Sequence, residues 1–535
     1  MKHFRTALLI TCIAASLAAA CTAEPDNRPE ENSGAVSQKI INNPTNAIEG
    51  SLVIRLKDGE DISAVSAAIK SVGATAERLF NPIPGKEEQE KKHGGVKPEL
   101  CDTDVWSPKS VHFHPNGKKY YINSLEGCRT MVYDARTNKK LAVIHHKFTP
   151  ANAYLWAKES GFFPFTHYTN KKNLNTFWGR PVESTFSHRG RYLWIPYYRR
   201  SYDINAQDPS AISVIDTRTD SIIKVFETGP LPKMVATTHS GKYLAVTHWG
   251  DNTVGILDIS SPNPDDWHYV KCVVVDYQLK LNLSMTTKVD RDCNSGYLLR
   301  GTVFTPDDHY MLIACMGGGG GIAVIDMQKM LYVGRLTGVS NARHLVVKNG
   351  YLYASLNAAG IVQRLPITKV EAAIKAMNGK TAPISGWQTC KVGGGARTIS
   401  LSPSGNFAFA ACNSASQLCV VDTRTMKQVA TLTIDSYPVG LDISADGRFV
   451  VLTSQGRRGH GGNAVNLVEV TYKEKEPTSA LIDEQKDEED AAAAKVAQEQ
   501  EQADAQSGTD WWYIGVAVGF VLGLMAVAFF RGRKK

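Results

Sequence analysis

The 535-residue chain contains no CxxC, CxxCH or GxSxG sequence, and its glycine run Gly317 to Gly321 lacks the spacing and the GK[ST] ending of a phosphate loop. These absences argue against a zinc ribbon, a thioredoxin-like redox motif, attached c-type haem, a serine-hydrolase elbow and a phosphate loop, since each chemistry needs its groups at that spacing. The histidine pairs His112/His114 and His145/His146 have no third ligand indicated, so no metal and no cofactor is expected. Charge is modest: 21% of residues are charged and 43% are hydrophobic, the balance of a globular chain long enough for a large core.

Long apolar runs are confined to the two ends. Lys2 and Arg5 precede an apolar stretch from Ala7 to Ala20 that ends in "LAAAC", so residues 1–20 are read as a secretory signal. Cys21 is a candidate lipidation site, although Ala18 stands where such signals usually carry Leu; plain cleavage after Ala18 to Ala20 is the alternative. Residues 21–49 form a polar linker. Trp511 to Phe530 is long enough to cross a hydrocarbon core of about 30 Å, with Arg531 to Lys535 as a basic cytoplasmic tail. Gly515, Gly519 and Gly523 recur every four residues along it, a pattern that permits close helix packing and homodimerisation.

Everything between is then expected outside the cytoplasm, in the periplasm or at the cell surface. Without Cys12 and Cys21, eight of the ten cysteines remain, an even number for an oxidising compartment. Candidate disulfides are Cys412 with Cys419, Cys272 with Cys293, and Cys101 with Cys128. The formal charge of +8 is uneven: residues 473–510, read as an acidic tether, carry a net −8 and leave +16 elsewhere. Nucleic acid is an unexpected partner in that compartment.

Seven copies of one turn, each followed by a short apolar strand, punctuate the middle of the chain: "HPNGKKYYI" (Gly117), "SHRGRYLWI" (Gly190), "THSGKYLAV" (Gly241), "TPDDHYMLI" (Asp308 in the glycine place), "VKNGYLYAS" (Gly350), "SPSGNFAFA" (Gly405) and "SADGRFVVL" (Gly447). The spacing of 42 to 73 residues is that of propeller blades. A second signature closes most copies with an apolar triplet and an Asp: Asp134, Asp216, Asp258, Asp326 and Asp422. Such an Asp caps its turn through its own backbone neighbours, and its recurrence argues against catalysis.

Over about 107–472 the repeat resembles the YVTN-type secreted bacterial seven-bladed β-propellers, a WD40-like architecture, with the tetrapeptide imperfect as "YINS", "AVTH" and "FAAC". The resemblance implies an all-β, seven-bladed propeller, placed at 100–472, and little about activity. A strand near Asp104 and Val105 is expected to close the ring. Residues 50–95 read as a small βαβ module, similar to protease pro-segments and suited to docking, so the fold class is a propeller with an N-terminal α/β module and a C-terminal membrane helix.

Counting eight residues back from each turn glycine reaches Lys109, Lys233, Arg300 and Arg397. Arg343 lies one place later in blade five, and Arg180 two places earlier in blade two. Six blades thus offer a cation near one mouth of the channel, a concave ring suited to an anionic group. The competing reading is that each cation pairs with a local carboxylate, such as Glu183 in blade two. Loops on the same face add Arg199, Arg200, His248, Trp249, Arg457 and His460. The insert 148–180, rich in aromatics and bases, is expected either as a recognition lid or packed on blade edges.

The leading functional expectation is a membrane-anchored extracytoplasmic binding or scaffolding propeller for an anionic ligand or an envelope protein, rather than an enzyme. The alternative is a lactonase-like hydrolase on the same fold.

Overall fold

The computed structural model describes residues 102–457, 462–472 and 476–478, and the backbone of three strands, Gln38–Lys39, Leu56–Lys57 and Ala74–Phe80. The signal, Cys21, Cys101, His460, the acidic tether, the membrane segment with its glycines and the helical part of the N-terminal module lie outside the described residues. Among the described residues no helix is long and apolar enough to cross a membrane.

Seven antiparallel sheets follow one another around a ring, each numbered here from its innermost strand outward. Blade one is Pro108–Phe113, Lys119–Ser124, Arg129–Asp134 and Lys140–His145, and blades two, three and six repeat that order. The first strands of successive blades lie side by side, which makes them the channel wall. The second strands read as unbroken apolar runs because their alternate faces are both buried. In Phe407–Cys412, Ala408, Ala410 and Cys412 face the blade-five side, while Phe409 and Ala411 face the blade-seven side. Seven apolar clusters result, one at each blade–blade interface. The cluster of Val111, Tyr120, Ile122 and Met131 with Val451, Val465 and Leu467 closes blade seven on blade one.

The seven hairpin turns form as the repeat requires. Their glycines hold φ between 71° and 98°, and Asp308 adopts φ 56°, the left-handed conformation the turn imposes. The recurring aspartates cap the next turn. Asp134 accepts from the backbone N–H of Arg136 and Thr137, and Asp216, Asp258, Asp326 and Asp422 each accept from the N–H two residues on.

The ring closes differently from expectation. Asp104 lies in a turn, and the fourth strand of blade seven is Ala74–Phe80, antiparallel to Ala464–Val470 from Ala74↔Val470 to Phe80↔Ala464. A segment read as part of a separate module therefore completes the last blade. The seventh repeat lacks an outer strand of its own, so the unpaired edge of Ala464–Val470 takes the strand that precedes the first repeat. Blade five is also irregular: helix Ile367–Lys375 precedes its fourth strand, Gln388–Lys391, and Thr381–Pro383 adds a parallel fifth strand to blade four.

Candidate functional site

Six of the first strands share a register shift at their second residue, where a β-bulge re-aims the side chain. Five of those positions are the predicted cations. Lys109, Lys233, Arg300, Arg343 and Arg397 occupy blades one, three, four, five and six, and Val439 takes the place in blade seven. Blade five's extra offset was a shorter hairpin, since Arg343 stands at the same bulge as the rest. All five are buried, at 7%, 5%, 4%, 9% and 1% exposure.

Their surroundings divide the ring. Arg300 donates to Glu183 Oε1 at 3.0 Å, and these residues belong to blades four and two, so the ion pair reaches across blade three's sector of the channel. His344, next to Arg343, lies in the same field; burial lowers its pKa to about 4, with Glu183 opposing and Arg300 reinforcing the shift. The Lys233 ammonium sits 4.3 Å from the centroid of Tyr198 and 5.0 Å from that of Trp249, and 3.5 Å from Asp292 Oδ1. In the sector of blades six, seven and one, Arg397 and Arg457 approach the ring of Tyr437 to 5.9 and 6.0 Å. There Lys109 Nζ reaches Gln455 Oε1 at 3.5 Å.

Several predicted residues are not part of this arrangement. Arg180 is paired with Glu126 at 3.0 Å on the surface, so the local partner proposed for it, Glu183, serves Arg300 instead. Arg199 donates to the carbonyls of Ile204 and Asp203 within its own loop. Arg200 is 1% exposed, hydrogen-bonded to Leu174 O, Asn175 Oδ1 and Ser210 O, with the rings of Trp156, Phe165 and Phe177 within 5.0 Å. It fastens the 148–180 insert, whose Phe148, Leu155 and Phe177 enter the core between blades one and two. The insert is thus packed against blade edges.

His248 is fully buried and structural. The N–H of Gly229 can only donate, so Nε2 is the acceptor and Nδ1 carries the proton given to Thr253 Oγ1 at 2.8 Å. Burial lowers its pKa to about 3. Trp249 donates to Arg291 O at 3.1 Å and acts only as a wall of the Lys233 box.

The sequence missed Arg291, which is 4% exposed and binds the carbonyls of Asn205, Ala206, Gly250 and Asn294, tying the loops of blades two and three together. No motif marks it. The disulfide candidates are corrected as well: Cys128, Cys272, Cys412 and Cys419 are free thiols, Cys293 donates to Asp290 Oδ2 at 3.4 Å, and Cys412 and Cys419 are hydrogen-bonded at 3.6 Å between sulfurs.

Fold and site together define a seven-bladed β-propeller with a cation-bearing channel wall. No protein-family model and no curated protein matches the chain. Among solved structures, it is similar to Kuenenia stuttgartiensis hydrazine synthase, at 14% identity and TM-score 0.47, with 70% of this chain and 99% of that one covered. It is also similar to the Myceliophteria thermophila Cps50 (Swd1) β-propeller domain, at 12% identity and TM-score 0.45, with 68% and 97% covered.

Proposed function

We propose that the propeller is a binding module that takes an anionic group at the channel mouth in the sector of blades six, seven and one. The observation that carries this reading is the convergence of Arg397 and Arg457 on Tyr437, in a wall where the same bulge bears a cation in five blades. A concave wall that bears cations focuses the field that attracts an anion, and guanidinium groups bind it through directed N–H donors. In the neighbouring sector Arg300 already holds a carboxylate, that of Glu183.

The repeat pattern relates the chain to the YVTN-type propellers. The sequence readings of signal and membrane helix complete a picture of a propeller displayed outside the cytoplasm on an acidic tether, in a membrane where Gly515, Gly519 and Gly523 support self-association.

The test is calorimetric titration of the detergent-solubilised full chain with inorganic phosphate and, separately, malate. We expect saturable binding to one of them that weakens as salt is raised, since mouth charges are screened over about 8 to 10 Å. Arg457→Gln, at a half-buried position, should weaken it about tenfold or more, and Lys369→Gln on the helix of blade five should not. No saturable binding, or binding indifferent to Arg457, would overturn the proposal.

A further inference from the structure

The geometry points to a reversible dithiol–disulfide site formed by Cys412 and Cys419, with a small peroxide as its oxidant. The two residues lie on the second and third strands of blade six, where Cys412 faces Gln417 and Cys419 faces Ala410 in the ladder. They therefore share one face of the sheet, and Cys412 Sγ donates to Cys419 Sγ at 3.6 Å. A disulfide needs about 2.05 Å, so closure draws the sulfurs together by roughly 1.5 Å.

The surroundings prepare one sulfur as the nucleophile. Cys419 Sγ also accepts the backbone N–H of Gly393 at 3.4 Å. That loop comes close only because it lacks a side chain, since a Cβ on Gly393 would stand 3.0 Å from Cys412 Cβ. The donation from Cys412, helped by Gly393, holds the Cys419 thiol down to about 7 against the effect of burial, while the same contact raises Cys412. Of the two, Cys419 is therefore the sulfur on which thiolate, the reactive form, is favoured.

The chemistry balances in two steps. The Cys419 thiolate attacks one oxygen of the peroxide, the O–O bond breaks, and hydroxide leaves to give a sulfenic acid. Cys412 then attacks Cys419 Sγ; the S–S bond forms, the S–O bond breaks, and the departing oxygen takes the Cys412 proton and leaves as water. Two electrons pass from the two thiols to the peroxide.

Blade four supplies an internal control. Cys315 ends its second strand as Cys412 ends that of blade six, but Ala323 stands where Cys419 would be. Its thiol is as buried as those of Cys412 and Cys419, all at 0% exposure, and with no second thiol at that place it is pushed up to about 12.

The experiment is hydrogen peroxide titration of the full chain in its native state, followed by alkylation under denaturing conditions and peptide mass mapping. Cys412 and Cys419 share one tryptic peptide, which should lose two hydrogens and both alkylation sites together, and regain both after dithiothreitol. Cys315 should stay alkylatable throughout. In Cys412→Ser, Cys419 should accumulate as a sulfenic acid captured by dimedone, whereas in Cys419→Ser the remaining Cys412 should stay alkylatable. Isolation with the bond already formed supports the site, provided reduction and peroxide cycle it. The inference is overturned if both thiols outlast Cys315, if Cys419 pairs with Cys390 instead, or if Cys412 reacts equally well without Cys419. The wild-type mapping decides the matter should either variant fail to fold.

Discussion

Removing Glu183 while leaving Arg300 in place takes the carboxylate from a guanidinium at a site only 4% exposed, and this is the sharpest test of how the channel is held. At about 4 Å between charge centres and an effective dielectric of about 20, the attraction is on the order of 4 kcal/mol before desolvation is subtracted. Breaking one partner of such a buried pair costs about 3–5 kcal/mol, while replacing both by neutral groups of similar shape costs far less. Glu183→Gln, Arg300→Met and the double variant form a cycle in which each single change should lower stability by about 3 kcal/mol. The double change should cost well below their sum, with a coupling of about 2 kcal/mol or more. Equilibrium denaturation reads this as a shift in midpoint at unchanged slope. His344 gives an independent reading: Glu183→Gln should lower its pKa further and Arg300→Met should raise it, because the carboxylate favours and the guanidinium opposes the protonated ring. Singles below about 1 kcal/mol that add in the double, or a His344 that moves the same way in both, would refute the trans-channel pair.

Burial raises the Asp251 carboxyl to about 6, so its contribution is full below the unfolded value near 3.8 and is lost as pH rises toward 6. Asp251→Asn should remove that part of the stability profile, seen as a difference of a few kcal/mol in slope-corrected unfolding between pH 4 and 7. His146 and His248 act in the opposite sense, since burial lowers both to about 3. Replacing His248 with Gln should therefore flatten the loss of stability as pH falls below 6.5. Arg200→Leu should unfasten the insert, giving rapid proteolytic cleavage within 148–180 and a loss of about 2–3 kcal/mol from the hydrogen bonds to Leu174 O, Asn175 Oδ1 and Ser210 O that it gives up. Deleting residues 1–80 should expose the edge of Ala464–Val470, and hydrogen exchange of that strand should rise to the rate of an open edge, while unchanged protection would contradict the closure. Gly519→Ile should abolish self-association of the isolated 511–530 segment in a bilayer reporter, and undiminished association would make its glycines incidental.

The seven blades were legible because each repeat states its turn, its two apolar strands and its capping Asp within about 25 residues, and local chemistry is enough to form them. The cations were legible for a related reason. Counting back from a turn of fixed geometry measures height along the channel wall, so Lys109, Lys233, Arg300 and Arg397 landed on one bulge. Arg180 failed because blade two has Val182 at that height, and a longer count left the wall altogether.

Two other failures share a different cause. Ala74–Phe80 reads as a strand in any context, and nothing in "ATAERLF" says that its partner begins 390 residues later. Glu183 likewise reads as a local acid, yet its partner is 117 residues away across the channel. Loop membership proved the weakest guide. Arg199 and Arg200 are neighbours in one loop, but one answers its own loop's carbonyls while the other is swallowed by three aromatic rings of the insert. A count of residues fixes position only while the backbone geometry between is fixed. Where the chain leaves the ladder, the site of a side chain is set by whichever buried carbonyls lack a donor, and Arg291 shows that such a demand can recruit an arginine no pattern marks.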